Sequence, residues 1–269
     1  AMIPTAPITH DIILIGGGHS HVAVLKRFGM KPEPGVRLTL ITRDLLTPYS
    51  GMIPGYIADH YSAAEAHIDL RPLAAFANAR VIHAPATGLD LDRNLVRVTG
   101  RPSVAFDLVS IDTGSTPSTA GIAGAEHGLP VKPLDRFLEG CDRLTEEIRR
   151  HDGPFHITVA GGGAGGVELT LALSHRLGLA VSDLGKSACD LRFNIVEADT
   201  VLLPVYNAAA RRKLARALAD RSIAVHTGAA LTGVSSNAVT LADGTALDSH
   251  RTILVTSAGP PTWLADSDI

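Results

Sequence analysis

Two stretches of the chain carry the same pattern of apolar and glycine positions. Residues 11–25 read DIILIGGGHSHVAVL and residues 155–169 read FHITVAGGGAGGVEL. In each, an apolar run with β-branched residues predicts a buried strand. Three glycines then predict a tight turn, and apolar positions at helical spacing predict a helix. The triplets start at Gly16 and Gly161, 145 residues apart. This internal duplication is the strongest signal in the sequence.

The pattern between the two copies fills in the rest. His19 to Phe28 reads as a helix that ends near Gly29, with Pro32 and Pro34 beyond it. Residues 37–42 (RLTLIT) read as a strand, and 46–62 as a loop rich in Pro, Gly and Tyr. Residues 79–92 and 94–100 read as short strands around a turn. Residues 107–117 read as a buried strand running into a glycine turn, and 118–133 as a loop with two prolines. From Leu134 to His151 an amphipathic helix is expected, with Leu134, Leu138, Cys141, Leu144 and Ile148 on one face.

The second copy repeats the order. ITVA (157–160) is a strand, Gly165 to Leu177 a helix, residues 191–199 a strand, and Asn207 to Arg221 a helix. Residues 222–249 alternate as short strands and hairpins, and 251–259 form a buried strand. Strands alternating with helices predict parallel βαβ units and an α/β fold.

Length and composition agree with this. A chain of 269 residues holds one large domain or two ordinary ones. With 45% hydrophobic and 19% charged residues it can bury a core. The net charge is −3 and no run of five like charges occurs, which speaks against a nucleic-acid arm or a polybasic membrane patch. Aromatics at 4% argue against a stacking platform for bases or sugars. No stretch of 18 apolar residues is present to span a membrane. Cys141 and Cys189 form neither a CxxC pair nor a metal-ligand spacing, and their number fits a reducing, cytoplasmic setting.

The chemistry lies in the glycine turns. Gly161, Gly163 and Gly166 complete G-x-G-x-x-G between a strand and a helix. The first glycine permits the turn, the second lets a pyrophosphate approach the backbone, and the third lets helix and strand pack closely. The helix N-terminus, beginning through Ala164 and Gly165 with Glu168 one turn on, then favours an anion. Glu197 ends the next strand, where a carboxylate accepts from a ribose 2′-hydroxyl and repels a 2′-phosphate, so NADH is preferred over NADPH. The distance from Gly161 to Glu197 is long for this motif, and a loop around 178–190 is expected to absorb it.

The first copy departs from the pattern. Gly16 and Gly18 are present, but His21 replaces the third glycine, where a side chain must push helix and strand apart or rotate outward. His19 and His21 either face the phosphates or serve packing and surface roles. Thr42 stands where the ribose-binding acid is expected, followed by Arg43 and Asp44.

Two such units resemble the two-dinucleotide-binding-domain flavoproteins, the pyridine nucleotide-disulfide oxidoreductase superfamily. The likeness covers nearly the whole chain. GGGAGGVELTLALSHRL and VEADTVLLP resemble the NAD domain of the type II NADH dehydrogenases. LVSIDTGSTP resembles the turn that ends the first FAD segment, with Asp112–Gly114 in place of Ala-Thr-Gly, and ILVTSAGPPTWL resembles the return strand. PVKPLDRF, with Lys132, resembles the segment that enters the NAD domain. GGGHSHVAVLKRFGM and LITRDLLTPYSGMIPG resemble the subgroup found joined to selenide, water dikinase.

The resemblance implies two Rossmann-like units, the second inserted into the first. Residues 8–121 would be the first FAD segment, 251–269 the start of its return, and 122–250 the NAD-binding domain. FAD would lie along Gly16, Gly18, His19, Ser20, Thr42 and Arg43, near Tyr49 and Ser50 in the loop after the second strand. Thr113, Gly114 and Gly259 would border it at the strand ends. Tyr49 either covers the flavin or packs its own loop. Lys132 either nears the flavin edge or is a solvated surface lysine. NADH would pass a hydride to the flavin, and electrons would go on to an acceptor: a quinone, or a redox or selenium partner. Homodimerisation and peripheral membrane attachment are further implications. The alternative is a nucleotide-binding or regulatory module linked to selenium metabolism, without turnover. The relatives' CxxC is absent, which speaks against a dithiol relay. Their final FAD segment would lie beyond Ile269, so the chain reads as truncated, and weak FAD retention is expected.

Overall fold

The computed structural model describes residues 7–132, 134–183, 185, 191–256 and 258–267. Contacts divide these residues into two units. One takes the described residues within Ala1–Ser50, Ala63–Ser115 and Pro260–Ile269. The other takes Gly51–Ser62 and those within Thr116–Gly259.

In the first unit, β1 (His10–Ile15), α1 (His19–Met30), β2 (Val36–Thr42), α2 (Leu70–Phe76), β3 (Arg80–His83) and β4 (Leu108–Ile111) build a parallel sheet of order β3-β2-β1-β4 with helices packed on it. The two central strands hold the most apolar sequence. Ile13, Leu14, Ile15, Leu40 and Ile41 are fully buried. Register pairs Leu14 with Leu40 and Ile15 with Ile111. β4 is half-buried rather than buried as its sequence suggests, because it is the sheet's edge. Between β3 and β4 runs an antiparallel meander (Ala86–Asp90, Leu95–Val98, Arg101–Ala105). Its third strand, RPSVA, was not legible in the sequence. Pro102 donates no hydrogen bond, and only edge strands tolerate that.

The second unit repeats the plan. It contains α3 (Leu134–Arg150), β5 (Phe155–Ala160), α4 (Ala164–Asp183), β6 (Leu191–Val196), α5 (Ala208–Ala219), β7 (Ala224–His226) and β8 (Arg251–Leu254). The parallel sheet has order β8-β5-β6-β7, with Leu129–Pro130 added beside β8. Between β7 and β8 lies a second meander (Leu231–Val234, Ala238–Leu241, Ala246–Asp248). Each meander has a register irregularity beside a glycine of its first strand, Gly88 or Gly233. The duplication therefore extends through the crossovers, beyond the two glycine turns.

The core of the second unit gathers Phe137, Cys141, Leu144 and Ile148 of α3 against Ile157, Val159, Val167 and Leu173. Phe137, absent from the expected stripe, is fully buried there. The stretch expected as a loop at 46–62 contains a short helix, Ile53–Ile57. Pro54 lies in the first turn, where its missing N–H costs nothing, and Ile53 and Ile57 share the buried face. The length expected as a loop at 178–190 is partly helix as well: α4 continues to Asp183, with Val181 buried. Residues 186–190, Cys189 among them, lie outside the described residues.

Candidate nucleotide-binding turns

Each glycine turn leaves the carboxyl end of a central strand of its sheet. β1 is flanked by β2 and β4, and β5 by β6 and β8. The strand order reverses at these points, the place where open α/β sheets bind their ligands.

In the second turn, Gly161 has φ +121°, a conformation that disfavours any side chain. A Cβ on it would approach the Val255 carbonyl closer than 3.0 Å. A Cβ on Gly166 would fall equally close to the Gly161 carbonyl oxygen. These two glycines are required by backbone against backbone. Gly163 is not: a Cβ there would meet nothing within 4 Å. The fold itself makes no demand for glycine at this position, but an approaching pyrophosphate does. α4 starts at Ala164, and Val167 N–H donates to the Gly163 carbonyl at 3.0 Å. The N–H groups before Val167 have no acceptor within the helix, and they face an anion with the favourable end of the helix dipole. Gly165 is exposed, as is Glu168 further along the helix.

Glu197 follows β6 and is half-buried. Its carboxylate accepts from Gly162 N–H at 2.5 Å and from Asp199 N–H at 2.9 Å. The backbone thus fixes the acid beside the glycine triplet, and a carboxylate still has lone pairs for ribose hydroxyls. The residues of this turn fit a dinucleotide with an unphosphorylated ribose.

The first turn has the same backbone and different contents. Gly16 has φ +94°, and its Cβ would lie closer than 3.0 Å to the Asp112 carbonyl. His21 neither forces the helix away nor turns to solvent. It is 1% exposed. Its Nδ1 donates to the Gly16 carbonyl at 2.7 Å, and its Nε2 lies 2.9 Å from the Ser110 hydroxyl. Both ring nitrogens are used inside the fold, so His21 faces no phosphate. The Asp112 carboxylate reaches the start of α1 and accepts from Ser20 N–H at 2.9 Å and His21 N–H at 3.3 Å. It also lies against Gly18, where any Cβ would collide with it. A carboxylate at a helix N-terminus stabilises it by about 0.5–2 kcal/mol. The backbone of this turn fits FAD, and two N–H groups at its helix start are held by the Asp112 carboxylate.

The remaining expected positions spread out. The ring of His19 meets Tyr49 edge to face at 4.7 Å, and Tyr49 is exposed. Ser50 opens a short 3-10 turn. Thr42 is buried beside the turn and donates to the Asp44 carbonyl at 2.8 Å. Arg43 pairs with Asp44. Thr113 and Gly114 follow Asp112, with Gly114 at φ +73°. In the second unit, Gly259 pairs with Thr116 in a two-residue ladder, and Lys132 is half-buried just ahead of α3. Asp112 and Ser110 are two residues of this turn that are not among the positions expected from the sequence. The signal for Asp112 was its departure from Ala-Thr-Gly.

Neither turn offers a thiol. Cys141 is buried in α3, and burial pushes its pKa up to about 12. At neutral pH it holds almost no thiolate. Iodoacetamide should leave Cys141 unmodified in the folded protein and alkylate it after unfolding, as read by peptide mass mapping. Among the described residues no cluster of His, Cys, Asp and Glu could hold a metal ion, and no helix is long and apolar enough to cross a membrane.

The family profile described as pyridine nucleotide-disulphide oxidoreductase matches residues 10–267. The chain belongs to this family. The family's name refers to pyridine nucleotides, the class of cofactor that the second turn fits. A curated relative, the epsilon subunit of an NADH-dependent phenylglyoxylate dehydrogenase from Aromatoleum evansii, is 30% identical over 123 residues, 44% of this chain and 29% of that subunit. Two solved structures share the fold. NDH2 from Plasmodium falciparum in complex with NADH has a TM-score of 0.76 at 16% identity, over 94% of this chain and 56% of that one. The sulfide:quinone oxidoreductase of Aquifex aeolicus has 0.73 at 19% identity, over 94% and 60%. The chain thus spans less than a third of the curated relative and little more than half of these structures.

Proposed function

We propose that this chain forms the nucleotide-binding part of an NADH-dependent flavoprotein oxidoreductase. In this reading NADH is held at Gly161–Gly166 and FAD at Gly16–Gly18, and electrons pass to a quinone or another redox partner. The observation that carries it is the second turn, where open space in front of Gly163 adjoins the backbone-anchored carboxylate of Glu197. When bound, the cofactors supply the redox chemistry, a hydride leaving NADH for FAD. The chain's own residues bind and orient. The start of α4 receives the pyrophosphate. Glu197 accepts the ribose hydroxyls and turns away a 2′-phosphate by like charge. Gly161 and Gly166 keep strand and helix close enough to form the turn. No side-chain nucleophile is needed, which agrees with the inert Cys141.

The test is anaerobic mixing of FAD-loaded protein with NADH or NADPH. NADH should bleach the flavin absorbance faster at equal concentration. Faster bleaching by NADPH, or by neither, would reject the reading. A second reading, a binding module without turnover, is favoured by one observation, the Asp112 carboxylate on the first turn. It predicts NADH binding with no flavin taken up.

A further inference from the structure

The two turns present the same backbone twice, and one of their differences lies at the position that faces the helix start. In the second, Val255 follows β8, donates its N–H to the Ala160 carbonyl at 2.9 Å, and sets its own carbonyl against Gly161. In the first, Asp112 follows β4, donates its N–H to the Ile15 carbonyl at 2.8 Å, and sets its carbonyl against Gly16. Asp112 and Val255 are therefore equivalent positions of the duplication. Their side chains meet the same helix start. Val255 brings a methyl group 3.7 Å from where a Cβ on Gly165 would stand, and it offers no acceptor. Asp112 brings a carboxylate to the N–H groups of Ser20 and His21. The middle glycines record the result. Gly163 is open to 4 Å, whereas Gly18 lies against the three terminal atoms of the Asp112 side chain.

We propose that Asp112 is a resident anion of the first turn, holding the pyrophosphate seat so that a dinucleotide enters this unit only by displacing it. The inference rests on reading the first turn as the FAD site. A helix start has few free N–H donors, and two of those at the start of α1, Ser20 and His21, are already engaged by the carboxylate. A diphosphate arriving with the carboxylate in place would bring like charges into contact. Rotation of the Asp112 side chain frees the donors, at the loss of its two bonds to the helix. The site is thereby biased against small anions and yields only to a ligand with contacts elsewhere, as a whole dinucleotide has.

The test exchanges the two residues. Asp112→Val gives the first turn the side chain of the second, and Asp112→Asn removes the charge at constant shape. FAD and ADP are titrated into each by calorimetry with the second turn saturated by NAD+. The dissociation constant for FAD should fall tenfold or more in Asp112→Val and by less in Asp112→Asn. The melting temperature of the unliganded Asp112→Val protein should fall, because Ser20 and His21 lose their acceptor. A residue that merely capped the helix would lower stability without tightening binding. In reverse, Val255→Asp should weaken NADH binding tenfold or more, with Val255→Asn weakening it less. Unchanged or weaker FAD and ADP binding in both Asp112 variants overturns the proposal. So does unchanged NADH binding in a Val255→Asp protein with a native circular dichroism spectrum. If Val255→Asp does not fold, the Asp112 variants decide alone. If no form takes up FAD but Asp112→Val binds ADP more tightly than the native chain, the FAD reading fails and the resident anion stands.

Discussion

Gly166→Ala is expected to unfold the second unit, while Gly163→Ala is expected to fold normally and lose its nucleotide. Both residues belong to one motif, yet their surroundings differ. A methyl group on Gly166 would collide with the Gly161 carbonyl oxygen. Neither side of that contact can yield, because Gly161 is tied to β6 through its N–H to the Val196 carbonyl at 2.9 Å. Relief would require moving α4 off the sheet, where Val167, Leu173 and Leu177 are fully buried. A cost above about 3 kcal/mol follows, a large share of the ~5–15 kcal/mol that holds a domain together. At Gly163 the methyl group meets nothing within 4 Å, and the backbone is not left-handed. Stability should change by less than about 1 kcal/mol. The methyl group would occupy the approach of the pyrophosphate, so NADH affinity should fall at least ~10-fold, about 1.4 kcal/mol. Urea melts and NADH fluorescence titrations separate the two outcomes. Equal stability losses would mean that the open space at Gly163 is not a ligand's.

Glu197→Gln is expected to weaken NADH binding by about 10- to 100-fold and to change NADPH binding far less, so that the preference narrows. Hydrogen bonds to a charged group contribute about 1.5–3 kcal/mol, which sets this range. The carboxylate is already anchored by Gly162 and Asp199, so it presents acceptors to the ribose without an ordering cost. An amide of the same shape keeps one oxygen and no charge, which halves the anchoring and removes the repulsion of a 2′-phosphate. Competition titrations with both cofactors read the ratio directly. Tighter NADPH binding by the native chain would show that Glu197 does not face the ribose.

Much of this was legible in the sequence because the duplication is written in backbone requirements. Glycines at 16, 161 and 166 answer to carbonyl groups a few ångströms away, and such constraints show in residue type alone. The central strands were equally plain, since fully buried parallel strands need continuous apolar runs. What escaped depended on partners distant in sequence. Nothing near Phe137 in the sequence marks it as fully buried. The helix at Ile53–Ile57 hides behind Pro54, which reads as a breaker until its place in the first turn is known. His21 read as a defect of the motif. Its reason lies 89 residues away, in the hydroxyl of Ser110.

That pairing bears on how the two halves drifted apart. In the second half, the positions matching His21 and Ser110 are Gly166 and Ile253, by the register that sets Ile15 opposite Ile111 and Ala160 opposite Leu254. An imidazole facing Ile253 would leave a ring nitrogen without a partner in an apolar core, and a glycine facing Ser110 would leave a hole beside its hydroxyl. Each state is sound only as a pair. Replacing one member of either pair alone would therefore leave a mismatch inside the fold. The same coupling means that His21 and Gly166 cannot be exchanged between the halves of this chain unless Ser110 and Ile253 go with them.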